Sequence, residues 1–263
     1  MTSPYLARED APVTPELWRK IDETMIGTAS RRLSGRRLLE LEGPFGLGLK
    51  NVPLPDREIA PGITASGSQP LFLIRESFTL PIRDLAAFER DTVALDLTAV
   101  ADTAREIARR EDELVYNGAK GVPGLIHADH ASTLTLGTWD EVGQAAADII
   151  KAVSILDEKG FHGPYALALS PARFNLLFRI YPDGNRVEME HIRRIASAGV
   201  IKAPALASGG ILLQAGIETA SIIVGQDMTV GFVGPTGHGT LEFSISESLT
   251  PMVRRPAAVC VLE

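Results

Sequence analysis

Gly43-Pro44-Phe45-Gly46-Leu47-Gly48-Leu49, running on through Val52-Pro53-Leu54-Pro55 and Ile59-Ala60-Pro61-Gly62-Ile63 to Gly67 and Pro70, interrupts every attempt at a regular period. Short extended pieces are compatible with it; a helix is not. A segment of this length without structure of its own is uncommon inside a compact domain and usually serves as a functional arm or a linker. This one also carries Phe45, Leu47, Leu49, Val52, Leu54, Ile59 and Ile63. Those side chains need a surface to cover them, so the segment reads as an arm that pairs with another chain rather than as a surface loop.

Upstream of the arm, Thr14-Pro15-Glu16-Leu17 is a helix start: threonine as N-cap, proline at the first helical position, and a carboxylate at the positive end of the backbone dipole. Leu17, Ile21, Met25, Ala29 and Leu33 follow at four-residue steps with Trp18 on the flank, one apolar stripe. Gly35 is placed to close that helix in the left-handed conformation. Downstream, Leu71 to Ile74 and Ser77 to Leu80 read as strand. A long helix is expected from Thr98 to Asn117, apolar along Val100, Ala104, Ile107, Ala108, Leu114 and Val115. Its charged side, Glu106 and Arg109 to Glu113, is expected to face solvent or a partner, and Asn117-Gly118 ends it.

Thr138-Trp139-Asp140-Glu141 has the form of a capping box, opening a helix with Val142, Ala145, Ala146, Ile149, Val153 and Leu156 buried. Tyr165 to Leu169 is a short apolar strand, Ser170-Pro171 opens another helix, and Glu188 to Ala198 forms one more. Tyr181-Pro182-Asp183-Gly184-Asn185 is a turn by composition. The last third is strand-rich: Ile211 to Leu213, Ser221 to Val224, Met228 to Val233, Leu241 to Ile245 and Val259 to Leu262. Helices between an early strand pair and a late run of strands make an α+β class, not a βαβ repeat.

The 263 residues are 45% hydrophobic and 22% charged, a globular balance. A net charge of -7 argues against nucleic acid as a partner, since phosphate neutralisation needs surplus Lys and Arg. Cys260 is the single cysteine, in an apolar run, and reads as a buried inert thiol. The N-terminus lacks the pattern of a signal peptide, and no stretch approaches the length of a membrane span, so a cytoplasmic protein without membrane contact is expected.

Catalytic motifs do not emerge. The glycines at 43, 46 and 48, and those at 231, 234, 237 and 239, lack the spacing of a phosphate loop, and no Gly-x-Ser-x-Gly elbow occurs. His127 and His130 sit in an expected surface turn, and His162 and His238 beside turn glycines. Glu188 and His191 form a single Glu-x-x-His, where a di-iron bundle requires two. No catalytic residue, metal site or cofactor is expected, and the protein reads as a non-enzyme.

Several stretches nonetheless resemble one family. Leu33-Ser34-Gly35-Arg36-Arg37 with Glu42-Gly43-Pro44-Phe45-Gly46, then Ser77-Phe78-Thr79-Leu80, then Arg109 to Leu114 with Asn117-Gly118, are similar to successive segments of the encapsulins. So are Gly163-Pro164-Tyr165-Ala166-Leu167, Val224 to Gly231, and Glu247-Ser248, all in family order. The resemblance implies the Hong Kong 97 capsid fold of tailed phages. Residues 1-44 would hold the N-terminal helix and the start of the peripheral domain, 45-77 the extended loop, 78-127 the peripheral domain with its spine helix, 128-219 the axial domain, and 220-263 peripheral strands. It implies a shell protomer that assembles into an icosahedral homo-oligomer around a cargo enzyme, a peroxidase or a ferritin-like iron-storage protein, held by the cargo's C-terminal targeting peptide. By position, Arg36 and Glu40 fall at the mouth of that peptide's groove, with Ile26, Ala29, Leu33, Val230 and Phe232 as its apolar lining. Tyr181, Pro182, Asp183, Gly184 and Asn185 fall on the loop lining the five-fold pore. Some encapsulins stack a flavin on a tryptophan in the strand after the arm; Arg83 matches that position, so no flavin is expected. A phage or prophage major capsid protein is the alternative with the same fold, set against by the absence of a long leader before the first helix.

Overall fold

The computed structural model describes residues 4–91, 93–182, 184 and 186–263. Two single 3-10 turns, Pro4–Leu6 and Arg8–Asp10, come first. The order is then α1 (Pro15–Arg32), α2 (Gly35–Leu38), β1 (Glu40–Glu42), β2 (Asn51–Ala60), β3 (Ile63–Pro70), β4 (Phe72–Pro81), α3 (Ile82–Asp91) and α4 (Thr98–Asn117). It continues with β5 (Gly118–Ala119), β6 (Val122–Pro123), β7 (Ser132–Leu134), α5 (Gln144–Glu158), β8 (Tyr165–Leu169), α6 (Pro171–Leu176) and α7 (Glu188–Ile195). The end of the chain supplies β9 (Gly199–Lys202), β10 (Gly210–Gln214), β11 (Ala220–Pro235), β12 (Thr240–Val253) and β13 (Val259–Leu262). The α+β class holds. The chain forms two compact units: Met1–Leu33 with Gly43–Glu111 and Val224–Leu249, and Ser34–Glu42 with Asp112–Ile223 and Thr250–Glu263.

In the first unit, α1 begins where its caps direct it: Thr14 Oγ1 accepts from the Leu17 N–H at 3.4 Å, and Pro15 occupies the first turn. The four-residue stripe is buried throughout, Leu17, Ile21, Met25, Ala29 and Leu33 alike. Beneath it lies an aromatic cluster on Phe243 of β12. Phe78 stacks on it at 5.4 Å, Trp18 meets it edge-on at 5.6 Å, and Phe232 tilts against it at 5.6 Å. β12 pairs antiparallel with β4 from Thr240↔Pro81 to Leu249↔Phe72, so the two strands expected at 71–74 and 77–80 are one. The arm departs from expectation in the same direction: it is not structureless. β2 and β3 form an antiparallel hairpin, Asn51↔Pro70 to Ala60↔Ile63, closed by Pro61 and Gly62. Its prolines are tolerated because a two-stranded ribbon has an outer edge needing no donor, and two register shifts absorb the rest.

In the second unit, β7-β13-β10-β8-β9 form a five-stranded sheet. β13, expected with the peripheral strands of 220-263, is an interior strand of this sheet, between β7 and β10. All four of its residues are buried, and an unbroken apolar run is stable only where both faces are covered. Cys260 is among them, and burial pushes its thiol up to about 11, which keeps it protonated and inert. α5 and α7 supply Ile149, Leu156, Met189 and Ile192 to the core over this sheet.

Three local expectations are corrected here. Gly35 does not close α1 with a positive φ; it opens α2, and it is glycine because a Cβ would stand 3.1 Å from Val115 Cγ1 and 3.3 Å from Asp112 Oδ1. Asp112, placed on the charged side of α4, is buried with Glu111. Its carboxylate accepts from Ser34 N (3.0 Å), Ser34 Oγ (2.7 Å) and Gly35 N (2.8 Å), holding the first turn of α2. Burial pushes this carboxyl up, against the pull of those bonds. The capping box at 138–141 is not one, and α5 starts only at Gln144. Thr138 Oγ1 bonds the Asp140 carboxylate, while Trp139 takes φ 61, buries its indole and donates to Asp148 at 2.9 Å. The donors of the first turn of α5 are met from elsewhere: Gly143 N and Ala146 N donate to Glu188 Oε1 of α7, at 2.9 and 3.2 Å.

Candidate functional site

The arm is bare. None of its seven apolar side chains is buried, and Phe45, Ile59 and Ile63 are 63%, 58% and 56% exposed. A hairpin of 10- and 8-residue strands is marginal in water on its own, and in this one Val52 and Leu54 are only half-buried while the tip is open. Large apolar side chains left open at the hairpin tip, Ile59 and Ile63, mark a contact site.

A second feature lies on α1. The turns at Pro4–Leu6 and Arg8–Asp10 run beside it, and an open groove of about 640 Å3 is lined by Arg8, Val13, Trp18, Asp22, Glu23 and Ile26, among others. Of the residues expected to line a peptide groove, Ile26 is 60% exposed on this wall. Ala29 and Leu33 are buried in a small cluster with Ala108 and Met228; Val230 is fully buried; Phe232 is half-buried against Phe243. The buried three are core of their unit, as a four-residue apolar stripe ordinarily is. Arg36 on α2 and Glu40 on β1 belong to the other unit, half-buried and exposed respectively. Sequence reasoning missed Arg8 and Asp22. Arg8 donates to the Asp22 carboxylate at 3.0 and 2.7 Å and lies 4.0 Å over the Trp18 ring. A pair separated by fourteen residues across a turn leaves no periodic trace.

After α6, Tyr181 N donates to Arg186 O at 3.0 Å and Gly184 N to Tyr181 O at 3.2 Å. Tyr181 Oη lies 3.3 Å from His191 Nδ1, and both line a recess with Arg186, Glu190 and Arg194. Pro182 is exposed; Asp183 and Asn185 lie outside the described residues. Glu188, the other half of the Glu-x-x-His pair, is committed to capping α5. Among the described residues no group of three or more His, Cys, Asp or Glu side chains could hold a metal ion. Arg83 sits on α3, past the end of β4, and is exposed. No helix among the described residues is long and apolar enough to cross a membrane.

Residues 1–250 match the family described as the encapsulating protein for peroxidase. The chain belongs to that family. This encapsulin shell protein is 33% identical, over 277 aligned residues, to the type 1 encapsulin shell protein EncA of Myxococcus xanthus, with 98% of this chain and 96% of that one covered. Its fold is similar to that of the virus-like particle from Pyrococcus furiosus, with a TM-score of 0.77 at 20% identity, covering 94% of this chain and all of that one. It is also similar to the capsid protein of Myoviridae phage XM1, with a TM-score of 0.64 at 13% identity, covering 87% and 89%. The Hong Kong 97 capsid fold implied by the motifs is thus the fold of this shell protein.

Proposed function

We propose that this shell protein closes with copies of itself into an icosahedral cage in the cytoplasm and encloses a cargo enzyme, without catalysis of its own. The cargo is a peroxidase or a ferritin-like iron-storage protein, retained through a short C-terminal peptide. That peptide lies along the exposed wall of α1, with Ile26 and the rim of Phe232 as its apolar contacts. Tyr181, Pro182 and Gly184 line the pore at the five-fold axis.

The observation that carries the reading is the bare arm. Apolar groups left open in one chain are covered when a symmetric assembly supplies the same partner to every copy, and closure multiplies many modest contacts. A net charge of -7 and the 33% identity to an encapsulin shell favour protein cargo over packaged DNA. The test is the mass of the purified protein by light scattering, with its contents identified by mass spectrometry. A megadalton particle containing a second protein is expected; a stable monomer or small oligomer overturns the proposal.

A further inference from the structure

Residues 4–10 have no obvious task in a shell, yet they are held in place by specific contacts within the first unit. Leu6 is 9% exposed and stands on Gly231 of β11. Its carbonyl oxygen, Cδ2 and Cα come within 3.1, 3.3 and 3.5 Å of where a Cβ on residue 231 would be. Arg8 forms the two-pronged contact with Asp22, lies over Trp18, and reaches the Val230 carbonyl at 3.5 Å. Between the two anchors Ala7 has φ 49 and ψ 28, the left-handed region. For an L-residue with a Cβ that conformation is disfavoured by roughly fivefold to thirtyfold. Tyr5 is 82% exposed and contributes little to the hold.

The segment therefore seats one apolar anchor and one cation on α1 and β11, beside Ile26 and Val230, where the cargo peptide was placed. It does so with a strained link and only two points of attachment. We propose that residues 4–10 are a built-in occupant of the docking groove, a strap that cargo's tail displaces, so that the strength of this self-contact sets how readily the shell loads. The proposal rests on the reading of that groove as the docking place. A strap held by one apolar anchor and one half-buried cation is displaceable by a peptide of the same chemistry, because it has only these two points of attachment and the strain at Ala7 is released on leaving.

The test uses intact shells of the full chain and a fluorescent synthetic peptide of residues Pro4–Asp10 as probe, read by anisotropy. Arg8→Ala removes the cation from the strap but not from the probe, and shells of this variant should bind the probe about tenfold more tightly than wild-type shells. Ala7→Gly relieves the strain in the strap and should weaken probe binding by about fivefold or more. Gly231→Ala crowds the seat itself and should weaken probe binding several-fold relative to Arg8→Ala shells. The amount of co-purifying cargo per shell, from the native cells, should rise with Arg8→Ala and fall with Ala7→Gly. Equal probe affinity in wild-type, Arg8→Ala and Ala7→Gly shells overturns the strap. Probe binding to Gly231→Ala shells as tight as to Arg8→Ala shells overturns the seat. Probe affinities in the expected order with unchanged cargo loading overturn the gating role and show that the docking place itself was misassigned. Cage assembly, which depends on the arm, is expected to be the same in all three variants.

Discussion

Replacing Ile59 and Ile63 together by serine removes apolar surface from the tip of the arm without touching either core. Burying an isoleucine fully is worth about 1.5–3 kcal/mol. With 58% and 56% of their surface open, a neighbouring copy recovers a little over half of that, about 1–1.5 kcal/mol each. The double variant therefore weakens each arm contact by about 2–3 kcal/mol, roughly thirtyfold to a hundred-and-fifty-fold in its equilibrium constant. Because neither side chain is buried in the protomer, folding should change by no more than about 0.5 kcal/mol. The assay is reassembly after dissociation in denaturant, followed by mass photometry across a dilution series, with circular dichroism to confirm that the subunits are folded. The expected result is folded protomer that fails to close, or closes only at far higher concentration. Cages forming at a midpoint within threefold of wild type would show that the arm does not hold the shell.

Ile26→Asp should reduce cargo co-purification several-fold with cages intact, since it charges an exposed wall residue; unchanged loading moves the peptide elsewhere. Phe243→Ala should cost about 3–5 kcal/mol in urea unfolding, because three aromatic rings lose their common neighbour, and a loss under 1 kcal/mol would show that the cluster is slack. Glu188→Ala should cost about 2–4 kcal/mol by stranding the Gly143 and Ala146 donors, read as an early loss of α5 amide protection in hydrogen exchange. Burial alone would raise the Asp148 carboxyl, but bonds from Lys151, the Gly137 N–H and the Trp139 indole hold it below the usual carboxylate range. A depressed acid contributes stability that is present above the unfolded value of about 3.9 and lost as the pH falls through the folded one. Asp148→Asn should therefore destabilise the protein at pH 6 and lose that penalty towards pH 2, and a pH-independent difference would contradict the assignment.

The elements legible in advance were those whose determinants lie within one turn or one strand. Thr14-Pro15 positioned α1, the apolar spacing placed α4 from Thr98 to Asn117, and Tyr165 to Leu169 read as strand because nothing in it is polar. The failures share a cause. At 138–141 the pattern of a capping box was present, yet the donors of α5 are satisfied by Glu188, 45 residues from Gly143, and no local pattern carries that information. Asp112 looked like one of a row of solvated charges and is instead the acceptor that organises α2, 77 residues from Gly35.

For the arm the division is the same. Composition was enough to establish that 43–70 cannot be helical and that its apolar groups require cover, because glycine and proline act through backbone geometry at their own positions. That the segment contains a paired hairpin, with none of its apolar side chains buried and Phe45, Ile59 and Ile63 open, was decided only by tertiary structure. Strand pairing and burial depend on which distant residues arrive alongside, and chemistry along the chain does not encode that arrival.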